Sequence, residues 1–403
     1  MAVPVFEPAD PASAAATLAK AAADGLVVSV RGSATKQTWG GGGTPGAYLS
    51  TRRLDAGIRH DPGDLVATIP AGVTLAEANR VLGLARQCLP LDPAHGDRAT
   101  IGGIVATNDS GPRRHKFGAP RDLIIGIELA LADGRVAKSG GRVVKNVAGY
   151  DLSRLMCGSH GSLAVITSAT FRLSPVAPAS RTLAVRVPDA RTAAELALVL
   201  HAAPVTPSAL EIEAPSARLL VRFETTERAA DGMAGAARSL LEERGAAVEI
   251  LDAAAERRAW DEHEALIWGR PAIVVKVSVL PTDVAGVVAE LERTAAGLDW
   301  SVTGRAALGV LLVRIGGGPD ASARVVVALR AFAERRLGSL VVLQANLGSP
   351  AEAGHYVLNS PAEAEHDEPH GPTEAGHDVL SELMRAVKAQ FDPRGVLGPL
   401  PRT

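Results

Sequence analysis

Two cysteines in 403 residues, Cys88 and Cys157, are too few for a disulfide framework and fit no iron–sulfur or zinc spacing. Both sit in apolar contexts, which predicts small buried side chains in a reducing compartment. Net charge is nearly absent as well: 42 Lys+Arg stand against 44 Asp+Glu, a balance of −2. No basic field is available to hold nucleic acid or an anionic membrane, so neither is an expected partner. Long hydrophobic runs are missing too, since no stretch approaches the roughly 18 apolar residues of a spanning helix. The opening MAVPVFEPADPASAAATLAK lacks the basic region and unbroken apolar core of a signal peptide. These absences predict a soluble, cytoplasmic protein with no direct membrane insertion, long enough for two or three domains.

What the sequence does have is concentrated between Ala99 and Leu173. ATIGGIVATNDSG sets Thr100 before Gly102 and Gly103, then Thr107, Asn108, Ser110 and Gly111, with Ile101, Ile104 and Val105 as its bulky residues. Glycine lets main-chain N–H groups face an anion without a Cβ in the way, and the hydroxyls and the Asn amide supply the further donors a pyrophosphate needs. GSHGSLAVIT places Gly158 and Gly161 at a turn before Leu163, Val165 and Ile166, a short apolar strand against which a flat ring could lie. Taken singly, each glycine cluster also reads as an ordinary turn.

Other segments have a clear local grammar. Asp10-Pro11 opens an Ala-rich helix that runs to Asp24-Gly25, and LVVSVRG follows as a buried strand. That strand ends in Arg31, Gly32, Ser33, Ala34 and Thr35, either a phosphate-cradling turn or a plain exit into a loop; Gly40–Gly43 is loop. Thr74 is the N-cap of a helix with Glu77 as its reciprocal capping partner and Leu75, Ala78 and Leu82 inward. Pro90 and Pro93 stiffen the LPLDP loop around Asp92, before Gly96. After residue 175 strands alternate with Ala-rich helices, which predicts two βαβ-like units in one sheet with helices packed on it.

ATIGGIVATNDSG, RDLIIGIEL, LADG and GSHGSLAVIT, in this order, resemble the FAD-binding domain of the vanillyl-alcohol oxidase/p-cresol methylhydroxylase type. Within that group, GPRR at Gly111–Arg114 and KNVAGYDLSRLM at Lys145–Met156 are similar to the variants found in the smaller FAD-binding subunit of bacterial glycolate oxidase. The resemblance implies an α+β fold. Residues 1–175 form a two-subdomain FAD-binding domain, 176–350 an α+β cap domain, and 351–403 a mobile loop with a C-terminal helix and tail returning to the FAD domain.

It also implies non-covalent FAD held by Arg31, Gly32, Ser33, Ala34 and Thr35, by Pro90, Asp92 and Gly96 on the adenosine side, and by Thr100, Ile101, Gly102, Gly103, Thr107, Asn108, Ser110 and Gly111. Gly158, Gly161, Leu163 and Ile166 complete the set. Arg113, Arg114, His115 and Lys116 read as a solvated basic loop, or one arginine faces the flavin or a carboxylate. Lys145 is a candidate cation near the flavin; His160 reads as a surface histidine.

The sequence departs from catalytic relatives in two places. Nothing like their HxGDGNxH motif occurs; His355, His366, His370 and His377 lie among Pro, Gly and acids at spacings that fit no metal ligand set, so no metal is expected. At the C-terminus Gly398 stands where relatives have an Asn. The expected function is that of an FAD subunit oxidising glycolate to glyoxylate together with a larger FAD-binding subunit and an iron–sulfur subunit. A non-catalytic assembly subunit and a stand-alone 2-hydroxy-acid dehydrogenase are the alternatives.

Overall fold

Asp10 begins the first helix by accepting a hydrogen bond from the Ser13 N–H while the Ser13 hydroxyl accepts one from the Asp10 N–H, the reciprocal box that a Pro at the first helical position favours. Thr74 caps the second helix in the same way, at 3.2 Å from the Glu77 N–H. Glu77 does not return the bond: its carboxylate is taken by Arg80, three residues on, at 2.7 Å. Leu75, Ala78 and Leu82 face inward as their spacing requires.

The computed structural model describes residues 3–39, 44–141, 151–345 and 372–399, with main chain alone for 372–381. The described residues divide into two compact units. One comprises 3–109, 119–175 and 372–399; the other comprises Ser110–Gly118 and 176–345.

The first unit opens with β1 (Val5–Phe6), α1 (Pro11–Ala23), β2 (Val28–Arg31) and β3 (Ala47–Ser50). These strands form a parallel sheet in the order β1-β3-β2. Next come β4 (Arg59–Asp61), β5 (Val66–Pro70), α2 (Leu75–Gly83), β6 (Gln87–Cys88) and α3 (Ile101–Thr107). After the short helix α4 (Arg114–Phe117), which packs in the second unit, follow α5 (Pro120–Leu123), β7 (Ile124–Ala130), β8 (Val136–Gly140), α6 (Leu152–Met156), β9 (Val165–Arg172) and β10 (Ser174–Pro175). Five of these strands make an antiparallel sheet, β4-β5-β9-β7-β8, with α3 and α1 packed on its strands. Its core includes Ile69, Ile101, Ile104, Leu129 and Phe171, all fully buried.

The second unit holds one eight-stranded sheet. Its strands are β11 (Ala179–Arg186), β12 (Ala209–Ala214), β13 (Arg218–Thr225), β14 (Ala247–Ile250), β15 (Ile273–Ser278), β16 (Trp300–Arg305), β17 (Val310–Ile315) and β18 (Ser339–Ala345). The helices are α7 (Ala190–Ala202), α8 (Glu227–Glu242), α9 (Ala253–Trp268), α10 (Val284–Thr294) and α11 (Pro319–Glu334). The order β14-β11-β13-β12-β16-β17-β15-β18, antiparallel throughout, resolves into two split βαβ halves of the ferredoxin-like kind joined where β12 pairs with β16. The expected βαβ units are thus interleaved by an antiparallel strand. Short β14, mostly exposed, carried too little apolar pattern to be read from the sequence.

Alternation gives this sheet two different faces. Leu210, Ile212, Leu219, Val221 and Val313 enter the apolar core beside α7, α8, α10 and α11. The opposite face carries Glu211, Glu213, Arg305 and Arg314, all buried, and α9 packs on β16 and β17.

The last helix, α12 (Pro372–Phe391), belongs to the first unit, and beyond it the chain lies beside β2: Val28 N–H donates to Val396 O at 2.6 Å. Asp392, with a fully buried carboxylate, accepts from the N–H groups of Val396 and Leu397 at 2.8 Å each. Lys388 ties the turn down, donating to Asp392 at 2.5 Å, to Ser162 O at 2.6 Å and to the carbonyls of Leu397 and Gly398.

Candidate functional site

Three turns of the first unit meet around α3. The ATIGG run does not stay a loop: Thr100 is its N-cap residue and Ile101, Ile104 and Val105 bury one face, so it coils into a seven-residue helix. That changes the glycine roles. The N–H groups of Ile101 and Gly102 are spent on Val73 O and Ala71 O at 2.9 Å, and a Cβ on Gly102 would meet the Ala71 Cβ at 2.9 Å, so Gly102 is a packing glycine. Gly103, half-buried, has one neighbour near its missing side chain, Thr100 Oγ1 at 3.3 Å.

The turn after β2 arrives at the same place. A Cβ on Gly32 would stand 2.0 Å from Thr100 Oγ1, so main chain and hydroxyl come together because residue 32 has no side chain. Ala34 holds φ +58°, the left-handed conformation that glycine adopts freely, and so carries the backbone turn without a glycine. Lys36, which the sequence reading passed over, is buried and donates to Ala94 O at 2.9 Å while pairing with Asp109 at 3.4 Å. Asp109 in turn accepts from the Ala94 N–H at 2.9 Å. One lysine and one aspartate thus join the 31–36 turn, the proline-stiffened 90–96 loop and the end of α3. In that loop Pro90 is buried, Asp92 half-buried, and Gly96 lies against Pro93 O.

The third turn is GSHGS. Gly158 (φ +87°) and His160 (φ +51°) donate their N–H groups to Val105 O and Ala106 O at the end of α3, and Gly161 (φ +75°) would bring a Cβ within 3.3 Å of Val30 on β2. His160 is half-buried. Ser159 Oγ is buried with no hydrogen-bond partner among the described residues.

Several expected contacts are redirected. Ile101, Leu163 and Ile166 turn their side chains into the core, which leaves them main-chain contact with a ligand. The Thr107 hydroxyl donates back to Gly103 O at 2.8 Å, and Asn108 Oδ1 accepts from the Arg121 N–H at 3.1 Å. Arg31 lies over the Tyr48 ring at 4.2 Å, while Ser33 and Thr35 sit half-buried on the turn. Cys88 and Cys157 are half-buried, and burial pushes the Cys157 thiol up to about 12. Lys145, His355, His366, His370, His377 and Gly40–Gly43 lie outside the residues, or the side chains, that the structure describes.

In the second unit a polar network occupies the sheet face opposite the apolar core. Strand register sets Glu211 opposite Arg305 and Glu213 opposite Arg218. His263 reaches in from α9, its Nδ1 2.8 Å from Glu213 and its Nε2 3.2 Å from Glu211. Burial alone would lower the imidazole pKa, but hydrogen bonds to Glu211 and then Glu213 outweigh it and hold the value above normal. Ser110 and Gly111 belong to this unit, where Arg305 donates to their carbonyls at 2.8 and 3.1 Å. Arg113, read as a solvated or ligand-facing residue, spends its guanidinium on both oxygens of Glu224; Arg114 lies 3.5 Å from the Ser110 hydroxyl. His115 stacks edge-on against His201, and burial, then that neighbour, depress its pKa. The alternating acids of ALEIEA on β12 were the signal in the sequence for this network, hidden because a strand with one polar face ordinarily points it at water.

A family model described as FAD binding domain matches residues 3–140, the stretch that supplies two of the three turns. The turns fit FAD: Gly103 leaves most of the space its side chain would fill open, and the buried Ser159 hydroxyl has no hydrogen-bond partner among the described residues. Over 139 residues, 34% of this chain, the sequence is 42% identical to glycolate oxidase subunit GlcE of Escherichia coli (strain K12), of which it covers 40%. Glycolate oxidase subunit GlcD of Bacillus subtilis (strain 168) is 29% identical over 68% of this chain and 63% of its own length. The chain therefore spans less than two thirds of either relative. Among solved structures, an alkyldihydroxyacetonephosphate synthase superposes with a TM-score of 0.70 and 15% identity over 97% of this chain and 75% of its own. At that identity the likeness is one of fold, shared over nearly the whole chain.

Proposed function

We propose that the chain is the FAD-binding subunit of a multi-subunit oxidoreductase that converts glycolate, or a close 2-hydroxy acid, to the 2-oxo acid. The observation that carries this reading is the meeting of Gly32, Thr100, Gly103 and the GSHGS turn at one place in a chain that is 42% identical over 139 residues to a glycolate oxidase subunit. When bound, FAD supplies the two-electron acceptor. Gly32, Ser33, Thr35, Thr100, Gly103 and Ser159 are the residues that would hold it, by main-chain approach and hydroxyl donation. Lys36 and Asp109 keep the turns in register before the cofactor arrives, and Lys388 anchors the tail to the GSHGS turn.

Among the described residues of the second unit, His263 has both ring nitrogens committed between two carboxylates. A base, a cation for the carboxylate and close approach to the acceptor are what hydroxy-acid oxidation requires, so a larger FAD-binding subunit and an iron–sulfur subunit are the partners this reading calls for. It also puts the protein in the cytoplasm, peripheral to the inner membrane through those partners; no helix among the described residues is long and apolar enough to cross a membrane. Purification tests the reading: the protein should be yellow and release its flavin on acid precipitation. A colourless protein that cannot be reconstituted with FAD rules it out.

A further inference from the structure

The Asp392 carboxylate is fully shut away from water, which is costly for a charge unless its oxygens are partnered. Those oxygens accept from the N–H groups of Val396 and Leu397, and Lys388 donates to them from one helical turn back. Lys388 does more than neutralise the acid. With three protons, its ammonium also reaches Ser162 O at 2.6 Å and the carbonyls of Leu397 and Gly398 at 3.1 Å, so no donor is left over for a ligand. The link to Ser162 continues inward. Ser162 sends both its N–H and its hydroxyl to Ser159 O, at 2.9 and 2.6 Å, and the Ser159 hydroxyl is the buried one without a partner among the described residues. On either side of the Lys388–Asp392 pair the tail is packed: Phe391 against the core of Ile69 and Phe171, Val396 and Leu397 in that of Leu18 and Val28.

We infer that Lys388 and Asp392 are positioning residues for FAD: the pair holds Ser162, and through it the Ser159 main chain, so that the unpartnered Ser159 hydroxyl is fixed in place before the cofactor arrives. The inference rests on the reading of the GSHGS turn as part of the FAD site. Every group in this relay belongs to the first unit. The turn needs such support, because Gly158 and Gly161 both hold positive φ and a glycine-rich segment has the most backbone freedom to lose. Fixing it in the unliganded chain lowers the ordering cost of binding without touching the ligand.

The test uses the full chain, stripped of flavin and titrated with FAD by fluorescence, beside the unfolding temperature of each variant. Lys388→Met keeps the length and removes the donors; its Kd for FAD should rise about tenfold, the low end of the loss seen when outer partners of a metal's ligands are removed. Leu18→Ala, a core truncation on α1 that touches no hydrogen bond of the relay, is the control. It should lower the unfolding temperature at least as much and leave the Kd unchanged. A double-mutant cycle separates positioning from general loosening. Ser159→Ala should itself weaken FAD, and the double variant with Lys388→Met should bind no more weakly than Ser159→Ala alone, because the group that Lys388 positions is already gone. Additive losses, an unchanged Kd in Lys388→Met or in Ser159→Ala, or an equal rise in Leu18→Ala overturn the inference. Should Lys388→Met fail to fold, Ser162→Ala, which cuts the 2.6 Å link and leaves the tail untouched, takes its place in the same cycle. A wild-type chain that takes up no FAD removes the functional reading itself, before any variant is made.

Discussion

Gly32 and Thr100, from separate stretches of the chain, approach so closely that a Cβ on the glycine would lie 2.0 Å from the threonine hydroxyl. Gly32→Ala must therefore push the β2 turn away from α3 and should cost both stability and flavin. Gly103 separates the two effects. Its missing Cβ would meet Thr100 Oγ1 alone, at 3.3 Å, and alanine is the better helix former by about 1 kcal/mol. Gly103→Ala should fold at least as stably as wild type by thermal melting and still hold FAD more weakly by equilibrium titration; unchanged affinity would place the cofactor elsewhere.

Ala34 sits at φ +58° on an exposed stretch of the same turn. The left-handed conformation costs a non-glycine residue about 1–2 kcal/mol, and glycine returns about 0.5–1 of that as extra entropy of the unfolded chain. Ala34→Gly should then stabilise the protein by roughly 0.5–1 kcal/mol in urea unfolding, with FAD affinity unchanged. A loss of stability would mean that the turn takes another path.

The Glu211–His263–Glu213 contact makes stability depend on pH. His263 has a folded-state pKa raised above the unfolded value of about 6.5, so its contribution is complete below that value and is lost as pH climbs through the raised one. Melting temperatures measured upward from neutral pH should fall more steeply for wild type than for His263→Gln. The variant itself should be less stable at pH 7 by about 1–3 kcal/mol, since two buried carboxylates lose a hydrogen-bond partner. Parallel pH profiles would show that His263 is neutral in the folded protein.

The isolated chain should show little dye reduction with glycolate, and the co-expressed complex should show it at full rate. A missing general base typically costs about 10²–10⁴-fold, which sets the size of the gap. A quadruple alanine variant at His355, His366, His370 and His377 should leave the complex active. Full activity of the chain alone would make it a stand-alone dehydrogenase.

The sequence by itself determined the elements and much of the chemistry. Asp10, Thr74 and Asp189 mark helix starts through local hydrogen bonds, and apolar periodicity marks the strands, because both depend on neighbours a few residues away. The glycine-rich run of residues 99–111 was legible for the same reason: a backbone that must approach another group closely needs glycine at set positions. Tertiary structure alone decided that Gly102 serves packing, since it meets Ala71 only once β5 and α3 are packed together. It alone decided that Arg113 is spent on Glu224, that Lys36 joins three turns, and that Glu211, His263 and Arg305 share one sealed network. Those partners are far apart in the chain, and strand register, which places Glu211 opposite Arg305, follows from the pairing of β12 with β16 and not from either segment read alone.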